Sequence, residues 1–218
     1  MTAHFVDLLD GLRRRSLRMA SLVEDVVQQA VEAILQSDAG LAQRVVQRDQ
    51  CVDREEVEVE AEVIRLLALY QPVGADLRLL CTVLKVNNDL ERIADCAVNV
   101  AERARHVDVR TLSAPFEDLK QMGPIVEHML GNAVKAYASQ KVEDAEKVFL
   151  EEEAVDALYG QIIRRVVDEG VKAPARMAAY LDLISVAKNL ERIADHATNI
   201  AEDVVYVCTG EIVRHRQR

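Results

Sequence analysis

The chain predicts an all-α fold: two tandem repeats of an antiparallel three-helix bundle. Three observations lead there. The segment Leu90-Glu91-Arg92-Ile93-Ala94-Asp95 returns one hundred positions later as Leu190-Glu191-Arg192-Ile193-Ala194-Asp195. The likeness continues through Asn99 and Asn199, Ala101 and Ala201, Glu102 and Glu202. A segment repeated at nearly half the length of a 218-residue chain marks two copies of one unit. Half of the residues are apolar, mostly Val, Leu, Ala and Ile, interleaved with Glu, Asp, Arg and Gln. Eight Gly, four Pro and no Trp leave little to interrupt helices.

The elements follow in order. Apolar residues recur at helical spacing from Phe5 through Leu8, Leu12, Met19, Val23, Val27 and Ala30 to Ile34, giving the first helix. Ser37-Asp38-Ala39-Gly40 breaks it and caps a second helix over residues 41–69. Gln71-Pro72-Val73-Gly74 forms the next turn, and a third helix runs over 75–105. Residues 106–115 are the least periodic in the chain. The second half repeats the plan with helices over 116–138, 142–168 and 174–208, Pro174 opening the last of them and Gly123-Pro124 kinking or restarting the first. The expected organisation is a first repeat at 1–107, a linker at 108–115 and a second repeat at 116–218.

Charge and composition exclude several classes. A net charge of −10 argues against a large nucleic-acid interface, and the Arg13-Arg14-Arg15 and Arg214 to Arg218 clusters are short enough to be solvated surface. Asp7, Asp10 and Arg13 interrupt any signal-peptide core, and no apolar run is long enough for membrane insertion. Cys51, Cys81, Cys96 and Cys208 lack paired-ligand spacing, so reduced thiols in a cytoplasmic protein are expected.

The repeated segment is chemically unusual. Glu91 and Asp95 stand four apart, as do Glu191 and Asp195, so each pair shares a helix face. Like charges at that spacing cost roughly 0.2–0.5 kcal/mol. Residues 33–53 also align without a gap on 136–156, placing Asp49 on Glu152 and Asp53 on Asp156. Each half thus carries two acidic pairs on consecutive helices, and the midpoints between the pairs fall at Pro72 and at the Ala173–Pro174 turn. Antiparallel helices rise equally from a turn, so the pairs are level. The expected sites are Asp49, Asp53, Glu91 and Asp95 in one half, and Glu152, Asp156, Glu191 and Asp195 in the other. Asn99 and Asn199 are weaker candidates one turn on. Such oxygens are hard donors suited to Mg, Mn, Ca or oxidised iron. The bland alternative is a solvated acidic face neutralised by Arg92, Arg192 or Lys188. His196, Cys96 and Cys51 point away from the acids and are expected as packing or rim. His4, His106, His128 and His215 belong to no ligand cluster. The sequence carries no Gly-rich phosphate loop, nucleophile elbow, zinc-protease helix or Glu-x-x-His pair, so no catalytic or organic-cofactor site is expected.

These residues resemble the PhoU family of regulators of bacterial phosphate uptake. The likeness covers essentially the whole chain. It is sharpest at Gln71-Pro72 with Asp76-Leu77-Arg78, at the paired Leu-Glu-Arg-Ile-Ala-Asp segments, and at Gly210-Glu211-Ile212-Val213-Arg214-His215. The family's acidic motif falls on Glu91/Asp95, Glu191/Asp195, Asp49/Asp53 and Glu152/Asp156. Two departures stand out: Ala94 and Ala194 replace a common Gly, and the second half has no Asp-Leu-Arg after Pro174. The resemblance implies two bundles side by side, a homodimer, and divalent or trivalent ions (Fe, Mn, Mg or Zn) at the acidic motifs. It further implies a negative regulator of the phosphate-starvation (Pho) response, contacting a phosphate ABC transporter ATPase and a sensor histidine kinase. A metal-independent helical scaffold and a metal-dependent phosphohydrolase are the rival expectations.

Overall fold

Helical periodicity resolves into six long helices: α1 (Ala3–Gln36), α2 (Ala39–Tyr70), α3 (Ala75–Ala104), α4 (Ser113–Ser139), α5 (Val142–Lys172) and α6 (Met177–Thr209). The computed structural model describes residues 3–213, and among them none lies in a strand. The Arg214 to Arg218 cluster, with His215, lies outside the described residues.

Local chemistry sets the ends. The Asp38 carboxylate accepts from the backbone N–H of Gly40 and Leu41, capping α2 two residues earlier than its periodicity suggests. Gln71 and Gln140 close α2 and α4 in the left-handed region, each returning its N–H to a carbonyl four residues back. The link between halves is shorter than expected. A 3-10 turn at Val109–Leu112 runs directly into α4, which begins at Ser113. Pro115 falls in that first turn, where a missing N–H costs nothing. Pro174 likewise opens a 3-10 turn, Pro174–Arg176, and α6 starts at Met177 rather than at the proline. Helix α5 runs past Asp168 to Lys172.

Contacts between elements give the topology. Arg15 pairs with Glu55 and Arg48 with Asp25, so α1 and α2 are antiparallel. Arg165 pairs with the buried Asp118 and His128 with Glu151, so α4 and α5 are too. Between the bundles, Lys85 pairs with Asp203, Asp89 with His196, and Arg103 with Asp182. As α3 numbers rise α6 numbers fall, so these two helices cross antiparallel at the middle of the molecule. Buried Ile93, Cys96 and Val100 of α3, and Ile193 and Ile200 of α6, share the helix faces that carry these ties. These apolar side chains pack the seam between the polar ties.

A second inter-bundle contact joins α1 to α4. Arg13 donates to the carbonyl of Ala138 in the last turn of α4, and Ser16 shares a buried hydrogen bond with Tyr137. Arg13 and Arg15 are therefore structural ties, not the solvated cluster their sequence suggests. Gly123 sits at the crossing, where a Cβ would come 2.7 Å from Val31 Cγ1. Helix α4 continues through Gly123-Pro124, so the pair neither ends nor restarts it.

Gly123→Ala should destabilise the protein by about 1 kcal/mol despite the gain in helix propensity, because overpacking outweighs it. Urea unfolding of the single variant, of Val31→Ala and of the double variant checks this. The double variant should recover part of the loss, and strict additivity would show that the two residues do not meet.

Candidate functional site

The register of α2 on α3 matches that of α5 on α6. Asn87 of α3 donates to the Glu56 carbonyl of α2, fixing one end of the first pairing. The acidic pairs then fall level with one another. Asp49 lies within electrostatic reach of Asp53 and Asp95, and Glu91 of Asp95, Glu56 and Asp53. In the second half Asp156 is coupled to Glu191, and Asp195 to Glu191, Asp156 and Glu152. Within each bundle the predicted carboxylates thus lie within electrostatic reach of one another.

The apolar faces of the four helices explain the placement. Val52, Val59 and Val63 of α2, and Leu90, Ile93 and Ala97 of α3, are buried. The acids occupy the flank next to these stripes, where Asp49, Glu91, Glu152 and Glu191 are half-buried and Asp53, Asp156 and Asp195 remain exposed. Burial, then mutual repulsion, raises the carboxyls of Asp49, Glu91 and Asp156. Burial first, then Glu191, pushes Asp195 up to about 6 although Lys188 opposes the shift.

Two basic side chains sit among the acids. Arg92 Nη2 lies 2.8 Å from Glu91 Oε1, and Arg92 Nη1 lies 3.0 Å from Asp95 Oδ2. Lys188 Nζ lies 2.6 Å from Glu191 Oε2. Buried Glu91 Oε2 receives no well-formed hydrogen bond, although Arg92 Nε is close. An all-oxygen donor set is chemically suited to a hard cation, although Arg92 and Lys188 already engage part of it. As the side chains stand, no three His, Cys, Asp or Glu among the described residues converge on a common ion position.

The weaker candidates part company. Asn99 is exposed on α3, whereas the Asn199 amide is committed to Asp89 Oδ1 at 3.4 Å, across the α3–α6 seam. His196 does more than pack: its Nδ1 is 2.8 Å from the same Asp89 oxygen. Its counterpart Cys96 is buried and its thiol is pushed up by that burial. Cys51 contacts Arg54 rather than the acids. His4 and His106 are exposed, and His128 bonds Glu151.

Sequence reasoning missed Glu56. Its carboxyl is raised by burial, Glu60 and Asp53, and it belongs with the first group. It lies one turn beyond Asp53, and helical spacing could have identified it. The aligned position in the second half is Tyr159, whose ring lies under the Lys188 ammonium at 5.4 Å. The two groups are therefore related but not identical.

The family model described as the PhoU domain matches residues 16–104 and 119–204. A phosphate-specific transport system accessory protein PhoU homolog of Zymomonas mobilis is 35% identical over 214 residues, covering 98% of this chain and 90% of that protein. The homolog of Caulobacter vibrioides is 37% identical over 216 residues, covering 97% and 94%. The crystal structure of PhoU from Pseudomonas aeruginosa superposes with a TM-score of 0.91 at 35% identity, covering 95% of this chain and all of that one. The phosphate transport system regulatory protein PhoU from Streptococcus pneumoniae gives a TM-score of 0.87 at 26% identity, covering 96% and 99%.

The folded chain holds the Asp195 proton more tightly than the unfolded chain does. Metal-free stability therefore falls as pH rises from 3.8 through about 6. Asp195 keeps solvent access, so screening reduces the effect. Asp195→Asn should stabilise metal-free protein at pH 7 by roughly 0.5–1 kcal/mol and flatten its profile between pH 4 and 6. Thermal unfolding across that range checks it, and an unchanged profile would show that Asp195 carries no repulsion.

Proposed function

Because the chain belongs to the PhoU family, we propose that it is a non-enzymatic accessory regulator of phosphate transport. It acts by contact with the ATPase of a phosphate ABC transporter and with a sensor histidine kinase. Through them it holds down the phosphate-starvation response when phosphate is plentiful. The observation that carries this reading is the duplicated, level acidic grouping on a fold shared with relatives named for phosphate transport. Those relatives are named as accessory and regulatory proteins, not as enzymes. Among the described residues no helix is long and apolar enough to cross a membrane, which suits a cytoplasmic protein meeting a transporter from one side.

The two three-helix repeats, joined through the 3-10 turn at Val109–Leu112, are the working units, and a homodimer doubles their faces. Asp49, Asp53, Glu91 and Asp95 hold one cation site, with Glu152, Asp156, Glu191 and Asp195 holding the other; Asn99 stands at the rim. Fe, Mn, Mg or Zn in divalent or trivalent form would supply positive charge there. The chain's own residues do the rest: the apolar stripes of α2, α3, α5 and α6 fix the register, and the half-buried acids orient oxygen donors outward. A metal-independent scaffold is the second reading, favoured by Arg92 and Lys188, which already neutralise part of each group.

Deleting the gene in its native host should raise starvation-gene expression under phosphate-replete growth. Unchanged expression and uptake would remove the regulatory reading. The Asp95→Ala, Asp195→Ala double variant should lose bound metal while keeping its helicity, checked by elemental analysis and circular dichroism. Native metal content in that variant would place the ion elsewhere.

A further inference from the structure

One face of α2 is apolar without being covered. Val57, Ala61, Ile64 and Ala68 are all exposed, Val57 at 61% and Ile64 at 52%. They stand four, three and four residues apart, the spacing of alternating d and a positions in a heptad. They lie on the opposite side of the helix from the core residues Val52, Val59, Val63 and Leu66. Helix α2 packs on α1 and α3 at the outer edge of its bundle, so this stripe points out of the molecule. Polar side chains bound it, with exposed Arg54 at the a position before it and exposed Gln71 at the d position after it.

The second repeat does not carry the stripe. Continued along α5, the alignment of the halves places Gly160 on Val57 and Arg164 on Ala61. A charge and a missing side chain interrupt the apolar run there. The stripe therefore belongs to the first repeat alone, and pairing it with its own copy uses up both faces and closes at two chains.

We propose that this stripe is the seam of a homodimer, in which α2 packs antiparallel on α2 of a second copy of the chain. The inference rests on the homodimer reading above and names its face. Side-chain size sets the direction. In an antiparallel pair a positions face d positions, so Ala61 meets the partner's Ile64 and Val57 meets the partner's Ala68. Each layer then holds one small and one β-branched side chain, and the helices run at one separation. A parallel pair would stack alanine on alanine and isoleucine on isoleucine, leaving every second layer underfilled. Charge agrees with size. Antiparallel pairing sets e positions against e positions, so Glu58 meets the partner's Arg65 and the twofold axis repeats the pair. Arg65 grips Glu62 through Nε and Nη2, which leaves Nη1 for a second carboxylate. Glu58 is 63% exposed, with a 3.4 Å contact to Arg15. Three turns of one helix pair bury less than the roughly 1,200 Å2 of a standard interface, so the dimer is reversible.

Sedimentation equilibrium of the full chain over a range of concentrations tests this. The wild type should be a reversible monomer–dimer system. Ile64→Glu should raise the dissociation constant about a hundredfold, because each copy loses an apolar contact and buries a charge. Its circular dichroism should stay that of the wild type, since Ile64 points away from the core. Glu58→Arg and Arg65→Glu should each weaken association about fivefold, and the two together should restore it. Restoration by Glu60→Arg with Arg65→Glu instead would mean a parallel seam and overturn the proposed geometry. A dimer that survives Ile64→Glu at wild-type strength would overturn the seam and leave the homodimer reading standing on another face. A wild type still monomeric at about 100 μM would overturn both and hand the stripe to a helix of another protein, with the regulatory reading untouched.

Discussion

Everything in this molecule is positioned by the antiparallel contact of α3 with α6. Buried Ile93, Val100, Ile193 and Ile200 share the faces that meet there, and their packing sets how the two halves approach. The polar ties Lys85–Asp203, Asp89–His196 and Arg103–Asp182 do not drive the association. They fix its register, because sliding by one turn would strand Asp203 and Asp89, both buried, without partners.

Hydrophobic register and acid placement are one design. The same helices that bury Val52, Val59, Leu90 and Ile93 must present their flanking residues at a fixed height, so the carboxylates gather because the core does. The repulsion this creates is tolerable at a half-exposed flank, where water screens it and Arg92 or Lys188 opposes it. Deeper burial would have neutralised the acids by protonation, and fuller exposure would have left them independent.

Much of this was legible in residue order. The one-hundred-residue repeat gave the duplication, the apolar spacing gave six helices, and the turn midpoints gave the level pairing of acids. Legibility failed where side-chain choice depends on three dimensions. Arg92 and Lys188 could be named as nearby charges, but their partners follow from rotamers that no spacing rule fixes. Glu56 was overlooked because it breaks the four-residue pattern while sharing its face. Pro115 and Pro174 were read as markers of position, yet one lies within its helix's first turn and the other precedes its helix in a 3-10 turn. His196 was discounted because it points away from the acids, and the surface it points toward belongs to the other bundle.

That last contact has a consequence for assembly. Helices α3 and α6 share so much sequence that α3 of one chain could mate with α3 of another, exchanging halves between molecules. Such a pairing would set Asp89 against Cys96, and α6 on α6 would set His196 against Asn189. Only the mixed pairing unites Asp89 with His196. Broken equivalences of this kind, at Asp89 and His196 and again at Lys85, Arg103, Asp182 and Asp203, favour the pairing of α3 with α6 over either helix with its own copy, and so disfavour tangled oligomers during synthesis.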